Sequence, residues 1–274
     1  MKLAVIGGGS SYTPELIDGL FAQLDCIPVT EVWLMDPDAA RLQITGDLAK
    51  RMVQKHGNPF VVYRTSELSE AVRDARYVVT QLRVGGMAAR IQDEKLGLRH
   101  NLIGQETTGV GGFACALRTI PRILEVARAM EQVASRGFLV NFTNPSGILT
   151  EALIKFTPIG SVGLCNVPIN IIMEVSKYFA CPMEEVKLDY VGLNHLSWVS
   201  KFTVAGKDVT TEALGKFLED AEEEWEDQAI RSSMVAAMKN LGMFCNSYLQ
   251  YFYAADAALA YLKRKSRTRG EEIV

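Results

Sequence analysis

Two residue patterns in this 274-residue chain could do chemistry. Near the start, Val5-Ile6-Gly7-Gly8-Gly9-Ser10-Ser11 joins an apolar strand to a helical segment. Glycines at such a junction let the backbone approach a pyrophosphate closely, and the helix N-terminus behind them favours negative charge. The run departs from GxGxxG at its last position, where Tyr12 stands, so a nucleotide would lie differently over the helix start. Asp36 closes the second apolar strand, Trp33-Leu34-Met35-Asp36, where a ribose-binding acid belongs, and it favours NAD over NADP. The same residues also suit a tight turn followed by an Asp that caps the next helix.

Much later, Cys165 in Val162-Gly163-Leu164-Cys165-Asn166 and His195 in Val191-Gly192-Leu193-Asn194-His195 each end an apolar strand. Taken singly, a cysteine reads as a small buried hydrophobe and a histidine as a satisfied core residue. Their position at strand ends, where open α/β sheets bind ligands, makes both candidates for metal ligation. Softness assigns such a pair to zinc or iron before manganese. Two protein ligands leave a metal half open, which suits a chelating substrate better than a structural role. The glycine loop, Cys165 and His195 are therefore expected at one crevice, where a redox cofactor and a metal meet.

The elements that must position these residues follow from hydrophobic periodicity. Strands are predicted near 2–6, 31–35, 59–63, 77–82, 138–142 and 160–164, with helices at roughly 14–24, 38–55, 87–98, 113–135, 147–156 and 168–179. Alternation of this kind gives βαβ units and a parallel, doubly wound, Rossmann-like sheet. Thr13-Pro14 reads as a cap followed by proline at the first helical position. After about 180 the pattern changes to antiparallel strands at 185–192 and 197–204, turning at Gly206-Lys207-Asp208, and then to acidic helices. The expected division is a nucleotide-binding domain over 1–165 and an α+β catalytic domain over 166–274. The charged ending, Lys263 to Val274, lacks a closing element, so this second domain is expected to be incomplete.

Composition narrows the partners. Lys+Arg 29 against Asp+Glu 32 gives a net charge of −3 and no basic stripe to follow a phosphate backbone, which argues against nucleic acid. No apolar run reaches membrane-spanning length, and the start runs straight into a strand, so a cytoplasmic location is expected. The five cysteines are scattered and lack CxxC spacing, which fits reduced thiols.

Seven segments occur in a recognisable order: Gly7-Gly8-Gly9-Ser10 with Thr13-Pro14; Arg83-Val84-Gly85-Gly86 with Arg90; Gly104-Gln105-Glu106-Thr107; Asn141-Phe142-Thr143-Asn144-Pro145; Gly163-Leu164-Cys165-Asn166; Gly192-Leu193-Asn194-His195; and Tyr248-Leu249-Gln250-Tyr251. Together they resemble glycoside hydrolase family 4, glycosidases that depend on NAD and a divalent metal and stand apart from the two-carboxylate scheme. The resemblance runs through the whole chain, and members of the family continue beyond residue 274.

What the resemblance implies is hydrolysis by way of oxidation. NAD, held by Gly7, Gly8, Gly9, Ser10, Asp36 and Arg83, takes hydride from carbon 3 of the sugar, which acidifies the carbon-2 proton. A divalent metal, manganese, on Cys165 and His195 grips the oxygens on carbons 2 and 3. Tyr248 takes the carbon-2 proton, although a free tyrosine has a pKa of about 10 and must be lowered to act near neutrality. Read from spacing alone, Tyr248, Tyr251 and Phe252 form an aromatic stripe on a core helix. Asparagine at 166 matches the 6-phospho-β-glucosidases of the family, whereas an aspartate there marks the α-specific members. Its side chain supplies no proton at neutral pH, and from chemistry alone it is equally a turn or cap residue. Arg90, Asn144, Asn166 and Arg269 map onto contacts to sugar and sugar phosphate, with Arg267 a rival for the phosphate, and Glu106 onto a residue that orients Tyr248 or the metal's water. The expected substrate is a phosphorylated disaccharide or β-glucoside, and the expected assembly a homodimer or homotetramer. An NAD-dependent sugar or hydroxy-acid dehydrogenase would use the same first half, and an inactive NAD- or sugar-phosphate-binding fragment is the other alternative.

Overall fold

The computed structural model describes residues 1–273. In chain order its elements are β1 (Lys2–Ile6), α1 (Thr13–Ala22), β2 (Glu31–Met35), α2 (Ala39–Lys55), β3 (Val61–Thr65), α3 (Leu68–Val72), β4 (Tyr77–Thr80), α4 (Gly86–Arg99), α5 (Gly109–Val133), β5 (Phe138–Asn141), α6 (Ser146–Phe156) and β6 (Ser161–Gly163). There follow α7 (Asn166–Phe179), β7 (Val186–Leu193), β8 (Leu196–Val204), β9 (Lys207–Asp208), α8 (Thr210–Glu219), α9 (Ala221–Glu224), α10 (Gln228–Leu241), β10 (Phe244–Cys245), α11 (Gln250–Tyr253), α12 (Ala255–Arg264) and α13 (Arg269–Ile273). They group into two compact units, Met1–Ala89 with Phe113–Leu164, and Arg90–Gly112 with Cys165–Val274.

In the first unit six parallel strands lie in the order β3-β2-β1-β4-β5-β6. Alternation along β1 shows why both faces are covered. Leu3 and Val5 join Ile17 of α1 and Leu42, Ala49 and Val53 of α2 in one apolar cluster. Ala4 and Ile6 join Ile123, Ala127 and Met130 of α5 and Leu149 and Leu153 of α6 in the other. Successive side chains of a strand point to opposite faces, so a strand buried on both sides reads as a continuous apolar run. The doubly wound Rossmann-like class expected from the sequence is the one observed.

The second unit carries a small antiparallel sheet, β10-β8-β7 with β9 paired to β8. Ile171 and Val175 of α7 pack with Val199 and Phe202 of β8 and Phe217 of α8. A separate cluster gathers Ile230, Met234 and Met238 of α10, Cys245, Leu249 and Ala258 of α12. Among the described residues no helix is long and apolar enough to cross a membrane.

Three readings from sequence change. The division at 165/166 put residues 90–112 with the nucleotide-binding part, whereas they cluster with the second unit, the boundaries falling inside α4 and α5. The short α3 went unnoticed because five residues are too few to display a helical period. Thr13 is the first helical residue rather than the cap, which is Tyr12, because its hydroxyl is spent on the Gly8 carbonyl at 2.8 Å.

Candidate active site

In the first unit the strand order reverses between β1 and β4, so the loops after these strands open side by side at the carboxyl edge of the sheet. The glycine loop is held tightly to its own strands. Gly7 and Gly8 donate to the Met35 carbonyl at 2.9 and 2.8 Å, Gly9 donates to Asp36 Oδ2 at 3.0 Å, and Ser10 donates to the Gly7 carbonyl at 3.0 Å. Gly7 has φ +91°, and a Cβ there would lie 2.6 Å from the Gln81 carbonyl oxygen; a Cβ on Gly8 would lie 2.8 Å from Leu34 Cβ. Glycine is needed here for this close packing and conformation.

The amides of this loop have partners of their own. These four amides are bonded within the protein, and anion attraction rests on the N-terminus of α1 that the folded loop presents. Asp36 also accepts from Asp38 N through Oδ1 at 2.9 Å, so it latches the loop while each oxygen keeps a lone pair for a ribose hydroxyl. Gln81, at the end of β4, donates to Thr13 Oγ1 at 2.8 Å and to the Gly7 carbonyl at 3.1 Å. That support was missed in the sequence, although its place just after an apolar strand could have signalled it. Arg83 follows in the same loop, its carbonyl accepting from Gly86 N at 2.9 Å, and Asn144 lies in the loop after β5, its carbonyl 3.8 Å from Cys115 Sγ.

The second unit brings together Cys165, His195 and Tyr248. Cys165 is the N-cap of α7, and His195 occupies the tight turn between β7 and β8. His195 has φ +63°, an uncommon conformation for a residue with a Cβ. It thus lies in the turn of an antiparallel hairpin, between the two antiparallel strands expected from the sequence, and the open-sheet rule does not account for it. What does is the pairing of β7 with β8, which closes at Leu193 and Leu196 and leaves Asn194 and His195 as the turn.

His195 Nε2 lies 3.4 Å from Cys165 Sγ, and His195 Nδ1 lies 3.0 Å from Thr107 Oγ1. Burial pushes the imidazole down to about 4, so it is neutral at pH 7, the form in which a histidine ligates metal. Soft sulfur and a neutral imidazole nitrogen side by side are a chemically sound donor set for a divalent transition metal. Among the described residues no group of three or more His, Cys, Asp or Glu side chains is arranged to hold a metal.

The Tyr248 ring stacks on His195 with centroids 3.7 Å apart and planes 3° from parallel. Tyr248 is not on a core helix: it sits in a 3-10 turn, Ser247–Leu249, ahead of α11, and Leu249 takes the buried position. Asn246, buried and also missed in the sequence, fixes that turn by accepting from Tyr248 N at 2.9 Å and donating to the Ser197 carbonyl at 2.7 Å. Burial raises the Tyr248 phenol above its ordinary value; Arg269 opposes this first, negative charge at Cys165 and Glu106 adds to it, and Arg90 opposes it.

Arg90, Glu106 and Arg269 lie near enough to this cluster to act electrostatically on the Tyr248 phenol. Arg90 Nε is 3.0 Å from Glu94 Oε1 and 3.1 Å from Glu106 Oε2, all three buried, so Glu106 is committed to an ion pair. Arg269 opens α13, beside Gly270, whose amide donates to Glu94 Oε2 at 2.8 Å. Asn166 is the exposed first residue of α7. Arg267, the rival phosphate partner, is exposed.

Comparison with known proteins gives the family. Residues 2–181 match the family 4 glycosyl hydrolases and residues 190–274 match the C-terminal domain of the same family. A probable 6-phospho-beta-glucosidase of Bacillus subtilis is 40% identical over 98% of this chain and 62% of its own length. The 6-phospho-beta-glucosidase BglT of Thermotoga maritima is 46% identical over 77% of this chain and 50% of its own length. A crystal structure of the 6-phospho-beta glucosidase from Thermotoga maritima with manganese, NAD+ and glucose-6-phosphate superimposes with a TM-score of 0.89 at 38% identity, covering 100% of this chain and 64% of that one. The chain thus spans half to two thirds of the length of these relatives. With a family match over most of its residues, it belongs to glycosyl hydrolase family 4.

Proposed function

We propose that this protein hydrolyses 6-phospho-β-glucosides, using NAD on the first unit and a divalent metal, manganese, on Cys165 and His195 of the second. The observation that carries this reading is the Cys165–His195 pair at 3.4 Å with the Tyr248 ring stacked on the imidazole at 3.7 Å. No two-carboxylate glycosidase needs such a trio. The structures of family members with NAD, manganese and glucose-6-phosphate support the choice of cofactors and of a phosphorylated sugar.

When bound, the two groups supply hydride acceptance and return at carbon 3 and polarisation of the oxygens on carbons 2 and 3, so that carbon 2 loses a proton, the aglycone leaves carbon 1, water adds there and no net redox change remains. Cys165 Sγ and His195 Nε2 would hold the metal. Tyr248 takes the carbon-2 proton at its phenolic oxygen, with Arg269 and Arg90 as the cations that favour its ionised form. Glu106 holds Arg90 in place through the 3.1 Å ion pair. Arg269 and Arg90 also bring positive charge for the sugar phosphate, while Asn144 and Asn166 offer amides to sugar hydroxyls. Asn166 at the start of α7 donates hydrogen bonds but no acid proton, which supports the β-anomer. Asp36 accepts from the ribose, and Gly7, Gly8, Gly9, Ser10 and Arg83 shape the pyrophosphate site.

The division of labour between an NAD-binding unit, Met1–Ala89 with Phe113–Leu164, and a catalytic unit, Arg90–Gly112 with Cys165–Val274, belongs to the same proposal, as do cytoplasmic location and a homodimer or homotetramer. A cytoplasm keeps the Cys165 thiol reduced. Exposed apolar side chains such as Phe113, Leu117 and Phe156 suit burial in an assembly. The test is turnover of p-nitrophenyl 6-phospho-β-glucoside under reducing conditions, expected only with both NAD and a divalent metal and without net NADH. Full turnover after both are removed, or stoichiometric NADH formation, overturns it.

A further inference from the structure

We propose that Thr107, itself oriented by Gln105, is a positioning residue that fixes His195 in the Nδ1–H tautomer and presents the Nε2 lone pair toward Cys165. The inference deepens the metal-site reading above, on which its second half rests.

The argument starts from a backbone group whose direction admits one answer. The Thr107 N–H can only donate, and it meets a Gln105 side-chain atom at 2.5 Å, so that atom is the amide oxygen, Oε1. Thr107 Oγ1 lies 2.7 Å from the same Oε1 and 3.0 Å from His195 Nδ1. A hydroxyl has one proton. Were Nδ1 unprotonated, that single proton would serve two acceptors, and one buried contact would set lone pair against lone pair. With a proton on Nδ1 every contact is satisfied: Nδ1–H donates to Thr107 Oγ1, and Thr107 Oγ1–H donates to Gln105 Oε1. Gln105, Thr107 and His195 are all buried, so water does not replace a missing partner cheaply.

The consequence lies on the far side of the ring. A neutral imidazole protonated at Nδ1 has its lone pair on Nε2, the nitrogen 3.4 Å from Cys165 Sγ. The opposite tautomer would aim an N–H at the sulfur and block ligation until the proton moved. The relay thus makes the nitrogen a ligand in advance, and because all its members lie in the second unit it operates within that unit.

The test uses the whole chain, metal-free and 15N-labelled, with long-range 1H–15N spectra of its three histidines and His195 assigned by loss of its signals in His195→Gln. The wild type is expected to show a protonated Nδ1 and a bare Nε2. Thr107→Val, which keeps shape and removes the oxygen, should lose this tautomer, and Thr107→Ser should restore it. Gln105→Met, which frees the Thr107 hydroxyl to turn toward the ring, should shift it in the same direction as Thr107→Val. Manganese affinity measured by titration should fall by about 10-fold to 100-fold in Thr107→Val and recover in Thr107→Ser, the scale of losing a partner to a ligating histidine. A wild-type spectrum with the proton on Nε2 overturns the proposal whatever the variants do, as does an unchanged tautomer in folded Thr107→Val. A wild type with Nδ1–H that binds no divalent metal supports the relay and overturns the metal-site reading.

Discussion

Replacing Tyr248 by phenylalanine removes one oxygen from the candidate site and little else. The ring keeps its parallel stack on His195 at 3.7 Å, an interaction worth about 0.5–1.5 kcal/mol beyond area burial. The turn that carries it keeps the Asn246 clasp, since the 2.9 Å bond runs to the backbone amide. Folding, manganese affinity and NAD affinity should therefore stay near wild type, with stability changed by no more than about 1 kcal/mol. Turnover should fall by about 100-fold or more, the scale of a positioned acid-base group, which corresponds to roughly 2.7 kcal/mol on the barrier. The assay is release of p-nitrophenol from the 6-phospho-β-glucoside at saturating NAD and manganese, with kcat and KM separated. A deuterium label at carbon 2 gives the second readout: wild type should exchange it with solvent during turnover and Tyr248→Phe should not. Full retention of label in the wild-type product would mean that carbon 2 never loses its proton, and the assignment of Tyr248 would fall with the elimination chemistry.

Other outcomes follow from the same geometry. Burial holds His195 down at about 4 against 6.5 for a free imidazole, so the unfolded chain binds more protons between these values; stability is fully present above about pH 6.5, falls as pH drops toward 4 by up to about 3 kcal/mol, and His195→Gln should remove that slope in denaturant titrations at several pH values. The β-anomer of a 6-phosphoglucoside should be cleaved faster than the α-anomer, and Asn166→Asp should narrow the ratio; a wild type that prefers the α-anomer would refute the reading of Asn166. Gly7→Ala places a Cβ 2.6 Å from the Gln81 carbonyl at φ +91°, so a loss of about 1–3 kcal/mol in stability and at least about tenfold in NAD affinity is expected by thermal melt and nucleotide titration; normal binding would show that the loop does not form the nucleotide site.

Composition and local order carried a good part of the fold. Apolar runs of four or five residues alternating with amphipathic helices determine βαβ units, because a strand covered on both faces must be apolar throughout and a helix against it must show a stripe. That logic placed β1, β2, β5, α2, α6 and α7 within a residue or two. It also located Gly7-Gly8-Gly9 and Asp36 at the carboxyl edge, since those positions follow directly from where a strand stops. The residue types at 165, 195 and 248 were legible as chemistry, and the ordered motifs named the family.

Other features exist only once the chain has folded. His195 reaches Cys165 across thirty residues because β7 and β8 pair antiparallel, and register is a property of two strands that neither spells out alone. Residues 90–112 belong with the second unit although the helices containing them continue into the first, and periodicity within a helix carries no record of which core its ends serve. Tyr248 looked like a core aromatic because helical spacing does not distinguish a buried ring from one stacked on a histidine; its placement rests on the long-range bonds from Asn246 to Ser197. The Gln105–Thr107–His195 relay was likewise invisible, because 88 residues separate Thr107 from its partner and hydrogen-bond direction is set by which groups meet. Sequence determined which atoms were available for chemistry; tertiary structure decided which of them touch, because contact and desolvation depend on distance in space rather than along the chain.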